Sequence, residues 1–376
     1  MSLNTAGTVA APGTASALLK TVFLKKIVSV LNDKQVALKK FQKDTIGFSG
    51  TELKFHVVTG REDGVGARAE TSNLPRIRAG ASAQATIEST NLVARTGFSK
   101  QLMVQSRNDV GAFARAAATK MKNLTGALYD DNNRQIFGYE GSGFTGKTGV
   151  LALIVTGANS VDQLFDNVNN IRKNMSLAIG SSAQLTNEEG YQTAIVSSVD
   201  RTTKIVTFAT AVNTTTGHAV VRGDADGTSY NQELNGLEFL VKSSGTLHGI
   251  NPNDHDGWAS TVVDAASAYF LTDDKIQLML DNVSEECGDS PDLLLLNVLQ
   301  RRLWVATQLP NKTFSTQKIT GGWRGQLMYE GGDVAIPMIT DKHCPTTTAF
   351  FVNTEDVKLF EQQDYQWLDD DGNVFQ

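Results

Sequence analysis

The octapeptide GSGFTGKT, Gly141 to Thr148, satisfies the pattern GxxxxGK[ST] with which nucleotide hydrolases cradle phosphates. Its Gly141, Gly143 and Gly146 also fit the dinucleotide-binding glycine spacing. Such a loop works between a buried strand and a helix whose N-terminal amides face the phosphates. Here the order is reversed: the helix-like NNRQIFGYE precedes it, and the strand-like VLALIV follows Gly149. A phosphate site also wants a Mg²⁺ carboxylate at the end of a second apolar strand. The best such strand, Leu293 to Leu296, ends in Asn297. The octapeptide therefore reads as a Gly-rich connection.

Three other groupings could do chemistry. His248, Asp254, His255 and Asp256 cluster in TLHGINPNDHDGW, as metal ligands or an acid/base pair would, but the same residues suit a polar Asx turn. His343 beside Cys344 suggests zinc or a thiol nucleophile, yet no second ligand pair and no orienting neighbour stands near in sequence. Asp369, Asp370 and Asp371 before Gly372 lack the alternate spacing and closing Glu of a calcium loop, and read as a solvated turn. No catalytic residue, cofactor or metal site is expected.

The elements around these residues follow from periodicity and punctuation. After a small-residue start of about 15 residues, Leu19, Val22, Phe23, Ile27, Val30 and Leu31 mark an amphipathic helix. TELKFHVVTGRE and ATIESTNLVARTGFSKQLMVQS are extended by pattern, with a charged tip, Arg61 to Gly80, between them, so the whole reads as a long hairpin. Ser106 with Asp109 forms a capping box, and Val110, Phe113, Ala117, Met121, Leu124 and Leu128 continue at helical spacing. A helix over 107–137 would run ~46 Å. VLALIV then reads as a strand, and 160–175 as a helix with Val161, Leu164, Phe165, Val168 and Ile171 on one face. A β-rich stretch, about 175 to 242, contains a hairpin with strands at 193–199 and 204–210. Thr272 caps a helix that Gly288 stops, DLLLL forms a core strand, and Asn297 caps a further helix. The chain then returns to strands in GQLMYEG, DVAIPMI and TAFFVN.

Composition narrows the function. The 376 residues are 40% hydrophobic, enough for a substantial core, and 34 Lys plus Arg against 40 Asp plus Glu leave a formal charge of -6. No overall basic excess marks a sequence-reading DNA binder. Two cysteines, Cys287 and Cys344, make no disulfide scaffold and fit a reducing compartment. Neither a signal-peptide pattern nor a stretch of ~20 apolar residues occurs, so a soluble, cytosol-made product is expected. An isolated two-stranded hairpin is marginal in water, so the long one needs something to lie against. Twelve residues of strand reach ~40 Å, far enough to cross onto another copy.

With these pieces in order, the chain resembles the major capsid proteins of tailed bacteriophages. The resemblance rests on GVGARAETSNLP at a hairpin tip, then ARTGFSKQLMVQSRNDVGAFARAAATKMKNL and YDDNNRQIFGYEGSG. It continues through NGLEFLVKSSGTLHGINPNDHDGWAS and YEGGDVAIPMITDKHCPTTTAFFVNTEDV, and so covers nearly the whole chain. It implies an α+β fold of the Hong Kong ninety-seven type. An N-terminal arm would occupy 1–47, an extended loop 48–105, and a peripheral domain 106–160 with 345–376, built on a spine helix at 107–138. A helix plus β-rich insertion, or an elaboration of the axial domain, would occupy 161–242, and the axial domain 243–344.

The resemblance also implies a non-enzymatic shell protein that forms hexamers and pentamers around double-stranded DNA, made in the host cytoplasm and located in the virion. Its partners would be copies of itself and a portal, with a separate scaffolding protein or none and with decoration proteins left open, and with no membrane and no small-molecule substrate. The candidate subunit-contact residues are Arg61, Glu62, Asp63, Arg68, Glu70, Arg76 and Arg78. The alternatives are an encapsulin-type compartment shell and, against the loop order described above, a P-loop hydrolase.

Overall fold

The fold is described from a computed structural model covering residues 37–44, 52–77, 79–97, 110–139, 141–255, 258–263, 271–288, 290–308, 328–331, 334–362 and 365. The amphipathic helix expected near the N-terminus, the Ser106–Asp109 cap, Arg78, Asp256 and the Asp369–Asp371 run lie outside these residues. The described residues fall in two compact units, one drawn from 1–47, 92–133 and 358–376, the other from 48–91 and 134–357.

The first unit is organised on a long helix, α1 (Val110–Phe137), whose last turn belongs to the second. Met121, Thr125 and Tyr129, at steps of four, are buried on one face, and Thr125 Oγ1 returns a hydrogen bond to the Met121 carbonyl at 2.9 Å. Strand β1 (Gln42–Asp44) pairs in parallel with β15 (Lys358–Phe360), so widely separated parts of the chain meet. Lys43 and Glu361 close the pair at 2.6 Å. Asn132 Nδ2 donates to the Tyr365 hydroxyl at 2.6 Å, which ties residue 365 to the helix.

In the second unit, strands β2 (Glu52–Val58) and β3 (Ser82–Glu88) form the expected antiparallel hairpin, with Leu53 opposite Ile87 and Val57 opposite Ala83. The hairpin base is held where the Thr86 N–H donates to the His248 carbonyl at 2.9 Å and Ala85 is fully buried.

The β-rich part is larger than the sequence suggested. Strands β4 (Val150–Thr156), β5 (Asn159–Phe165), β6 (Ser176–Gly180), β7 (Gln192–Asp200), β8 (Ile205–Asn213) and β9 (Ala219–Asp224) pair antiparallel in the order β9-β4-β5-β8-β7-β6. The β6–β9 pairing joins the two ends, so the sheet closes into a six-stranded barrel without open edges. β10 (Gly227–Thr228) extends from β9, and two short helices, α2 (Ser182–Asn187) and α3 (Leu237–Leu240), follow β6 and β10 in the chain. Leu151, Ile154, Phe165, Leu177, Ile179, Val196, Val206, Phe208 and Val220 fill the inside. Alternation is clear in β9, where Val220 joins this core while Ala219 and Val221 belong to an outer cluster with Phe144, Leu185 and Tyr230.

The helix expected over 160–175 is absent: 159–165 is strand β5 and 166–175 is turn. Phe165, Val168 and Ile171 do share one apolar environment, but it is the barrel interior. Buried Gln163 serves the irregular strand edge, its Nε2 donating to the carbonyls of Ala158, Ser160 and Val212 at 3.0 to 3.1 Å. The hairpin read at 193–199 and 204–210 is present as β7 and β8.

The remaining core is a four-stranded sheet of β12 (Met328–Gly331), β13 (Val334–Thr340), β11 (Leu293–Leu296) and β14 (Ala349–Val352), in that order. β11 is central, parallel to β13 and antiparallel to β14, and its four leucines are all buried, as a strand covered on both faces requires. Leu294 and Leu296 pack with Ile276 and Leu280 of α4 (Asp273–Cys287) and Trp304 of α5 (Val298–Gln308). The caps are those the sequence signals: Thr272 accepts from the Lys275 N–H, Gly288 ends α4 at φ 69°, and Asn297 Oδ1 accepts from the Leu299 N–H.

Candidate interaction surface

The residues that could do chemistry are placed in turns and cores. Residues 141–149 lead from the end of α1 into β4, so the loop runs from a helix C-terminus to a strand, opposite to a phosphate cradle. Its glycines answer to geometry. Gly149 has φ 85°, and a Cβ there would lie 2.3 Å from the Ser229 carbonyl oxygen.

Asn251, Pro252 and Asp254 form a short 3-10 turn, in which the Asn251 side chain accepts from the Asn253 N–H and donates to Asp254 at 3.0 Å. This is the Asx-type turn expected from sequence. His248 is separate from it, its ring 6.2 Å from that of Phe239, and Lys242 Nζ stands 4.4 Å over the same Phe239 ring. Desolvation holds the His248 imidazole below its ordinary pKa.

Cys344 is fully buried, and burial, then the charges of Asp341 and Glu238, push its thiol far up, the reverse of a reactive cysteine. His343 Nδ1 lies 2.7 Å from Asn170 Oδ1, and the His343 N–H donates to Asp341 Oδ1 at 2.8 Å. Asn170 belongs to the turn between β5 and β6, so this contact joins the barrel to the segment after β13; sequence reasoning had no signal for it, since the two positions are 173 residues apart. Among the described residues no group of three or more His, Cys, Asp or Glu could hold a metal ion. No helix among them is long and apolar enough to cross a membrane.

The hairpin tip has the opposite character. Arg61, Glu62, Asp63, Arg68, Glu70 and Arg76 are all exposed. They share the tip with apolar residues that sequence reasoning passed over: Val65, Leu74 and Ile77 are 90%, 87% and 90% exposed. Val65, Arg68, Leu74, Pro75 and Arg76 border an open concavity in the loop. Side chains so open to water contribute nothing to the core of their own fold.

No known protein family and no curated protein matches the chain in sequence. A solved structure does match in fold: the cyanophage A-1(L) capsid asymmetric unit, with TM-score 0.51 and 14% identity, over 87% of this chain and 73% of that one. At that identity the likeness is one of architecture, and the α+β arrangement with its barrel is a phage capsid-like fold.

Proposed function

We propose that this chain is the major capsid protein of a tailed bacteriophage, with a fold of the Hong Kong ninety-seven type. It assembles into hexamers and pentamers of an icosahedral shell that encloses double-stranded DNA. The observation that carries the reading is the fold likeness to a capsid asymmetric unit over 87% of the chain. The hairpin supports it, because its exposed apolar tip is in keeping with a contact that only assembly completes. In this reading the chain has no substrate and performs no reaction. Arg61, Glu62, Asp63, Arg68, Glu70, Arg76 and Arg78 contact a neighbouring subunit, and a portal and scaffolding or decoration proteins join the same particle, the virion.

Electron microscopy of the purified chain tests this, together with sedimentation over a range of concentrations. Closed shells built on fivefold and quasi-sixfold clusters are the expected result. A chain that stays monomeric at every concentration, or forms open filaments only, would overturn the proposal.

A further inference from the structure

One face of the barrel departs in composition from the rest of the chain. Charged residues make up 20% of the whole sequence, yet no Asp, Glu, Lys or Arg occurs in 148–161, 190–199 or 205–221. These stretches meet. Val196 of β7 is opposite Phe208 of β8, Asn213 of β8 is opposite Asn159 of β5, and the turn after β4 lies on the turn after β8, where the Gly157 N–H donates to Thr216 Oγ1 at 3.0 Å. Val196, Val206, Phe208 and Val212 point into the core. The outward positions are exposed and uncharged: Val161 at 39%, Ile195 at 54%, and Thr193, Ala209, Thr210 and Ala211. Asp162 stands at the border, where its carboxylate accepts from the Thr207 hydroxyl at 2.6 Å. The register adds a projection. Ser160 pairs with Val212 and Asp162 with Thr207, so residues 208–211 stand opposite Val161 alone, and this bulge leaves Ala209, Thr210 and Ala211 all open to solvent. Depletion of charge is the compositional mark of the buried centre of a protein interface.

We infer that this face of the barrel is a contact between two copies of the chain, in which Ile195 and residues 209–211 of one barrel lie on the same face of the other. The occupant follows from charge. A nucleic acid or an acidic partner would be met by lysines or arginines, and a basic partner by carboxylates; the face offers neither. In a contact of like with like, residues near the two-fold axis face their own counterparts, so any charge there would meet its like. A surface without charge is the one on which two copies approach free of that repulsion. The chain as a whole carries -6, repeated on every copy. Because the barrel closes on itself and leaves no open edge, the contact is face on face and not strand beside strand. The inference rests on the capsid reading for a particle in which many copies stand side by side, and it gives the barrel a task there.

The test uses full-length chains and reads, by sedimentation, the concentration at which particles form. Ala209→Glu with Ala211→Glu, and separately Ala209→Lys with Ala211→Lys, should each raise it about tenfold or more, and an equal mixture of the two should return it to within about threefold of the parental value. Ile195→Glu and Ile195→Lys repeat the test from β7. All these side chains are exposed, so the circular dichroism and melting temperature of the unassembled chain should stay parental. Thr202→Glu with Thr203→Glu, in the exposed turn between β7 and β8, controls for net charge and should leave the concentration unchanged. Charged forms that assemble at the parental concentration, a mixture no better than its parts, or a control that shifts as far as the face variants would overturn the contact and leave the capsid reading standing. A parental chain that never assembles overturns both.

Discussion

Among single residues, the clearest energetic commitment is the ion pair between Arg134, in the last turn of α1, and Glu233. The two lie 2.6 Å apart, with side chains only 4% and 6% exposed. Removing one partner strands a charge away from water, so Glu233→Gln is expected to lower stability by about 3–5 kcal/mol in urea unfolding. A double replacement, Arg134→Met with Glu233→Leu, should recover at least half of that; equal losses from the single and double variants would count against the pair's role. His248 gives a pH dependence. Its folded pKa lies below the ordinary 6.5, because desolvation outweighs the backbone hydrogen bond that favours the charged form. As pH falls the unfolded chain takes the proton first, so the contribution is full above about pH 6.5 and is lost as pH drops through the folded value. His218, shifted the same way by burial, adds to this slope. In His248→Gln the loss of stability between pH 7 and 5 should be smaller than in the parent, and an NMR titration should place the His248 midpoint below 6.5.

Among elements, what was legible in the sequence was what is decided locally. Thr272 and Gly288 bound α4 because a side-chain cap and a left-handed stop act within one turn. The buried run Leu293–Leu296 announced a strand covered on both faces. The misreading at 160–175 has a non-local cause. Apolar residues at 161, 164, 165, 168 and 171 suit a helix face equally well as a strand followed by two plugging residues, and closure of the barrel decides between them. That closure depends on β6 meeting β9 and β4 meeting β9, pairings of segments about forty to seventy positions apart that no short window contains. The charged tip was visible as a motif, but its exposed Val65, Leu74 and Ile77 became evident only with the loop's conformation. The barrel's core and outer cluster lie wholly within 139–230. A fragment of residues 139–231 is therefore expected to fold alone, with a β-type circular dichroism spectrum and one cooperative melt. Phe208→Ala should destabilise it by about 3–5 kcal/mol. A fragment that is unfolded, or that melts without cooperativity, would mean the barrel depends on the rest of the second unit.

At the scale of the molecule, the question is whether residues 61–80 serve the fold of their own chain or the assembly of many. Two observations favour assembly. The hairpin's docking within its own chain is at its base, through Thr86, Ala85 and His248, whereas the tip's large apolar side chains are almost fully exposed. Replacing residues 62–79 with a short Gly-containing turn should then preserve both units, because none of the described side chains in that segment is buried. Each exposed polar contact removed is worth only about 1 kcal/mol or less. A shell repeats that contact on every subunit, however, so a small pairwise loss should raise the assembly threshold steeply. The expected product is a soluble monomer or a single ring of subunits, with helix content and melting temperature near the parental values and no shell-sized species in sedimentation. Intact shells from the shortened chain would show that the tip is dispensable for assembly. A shortened chain that cannot fold would instead make the tip part of its own subunit's core, against the exposure of Val65, Leu74 and Ile77.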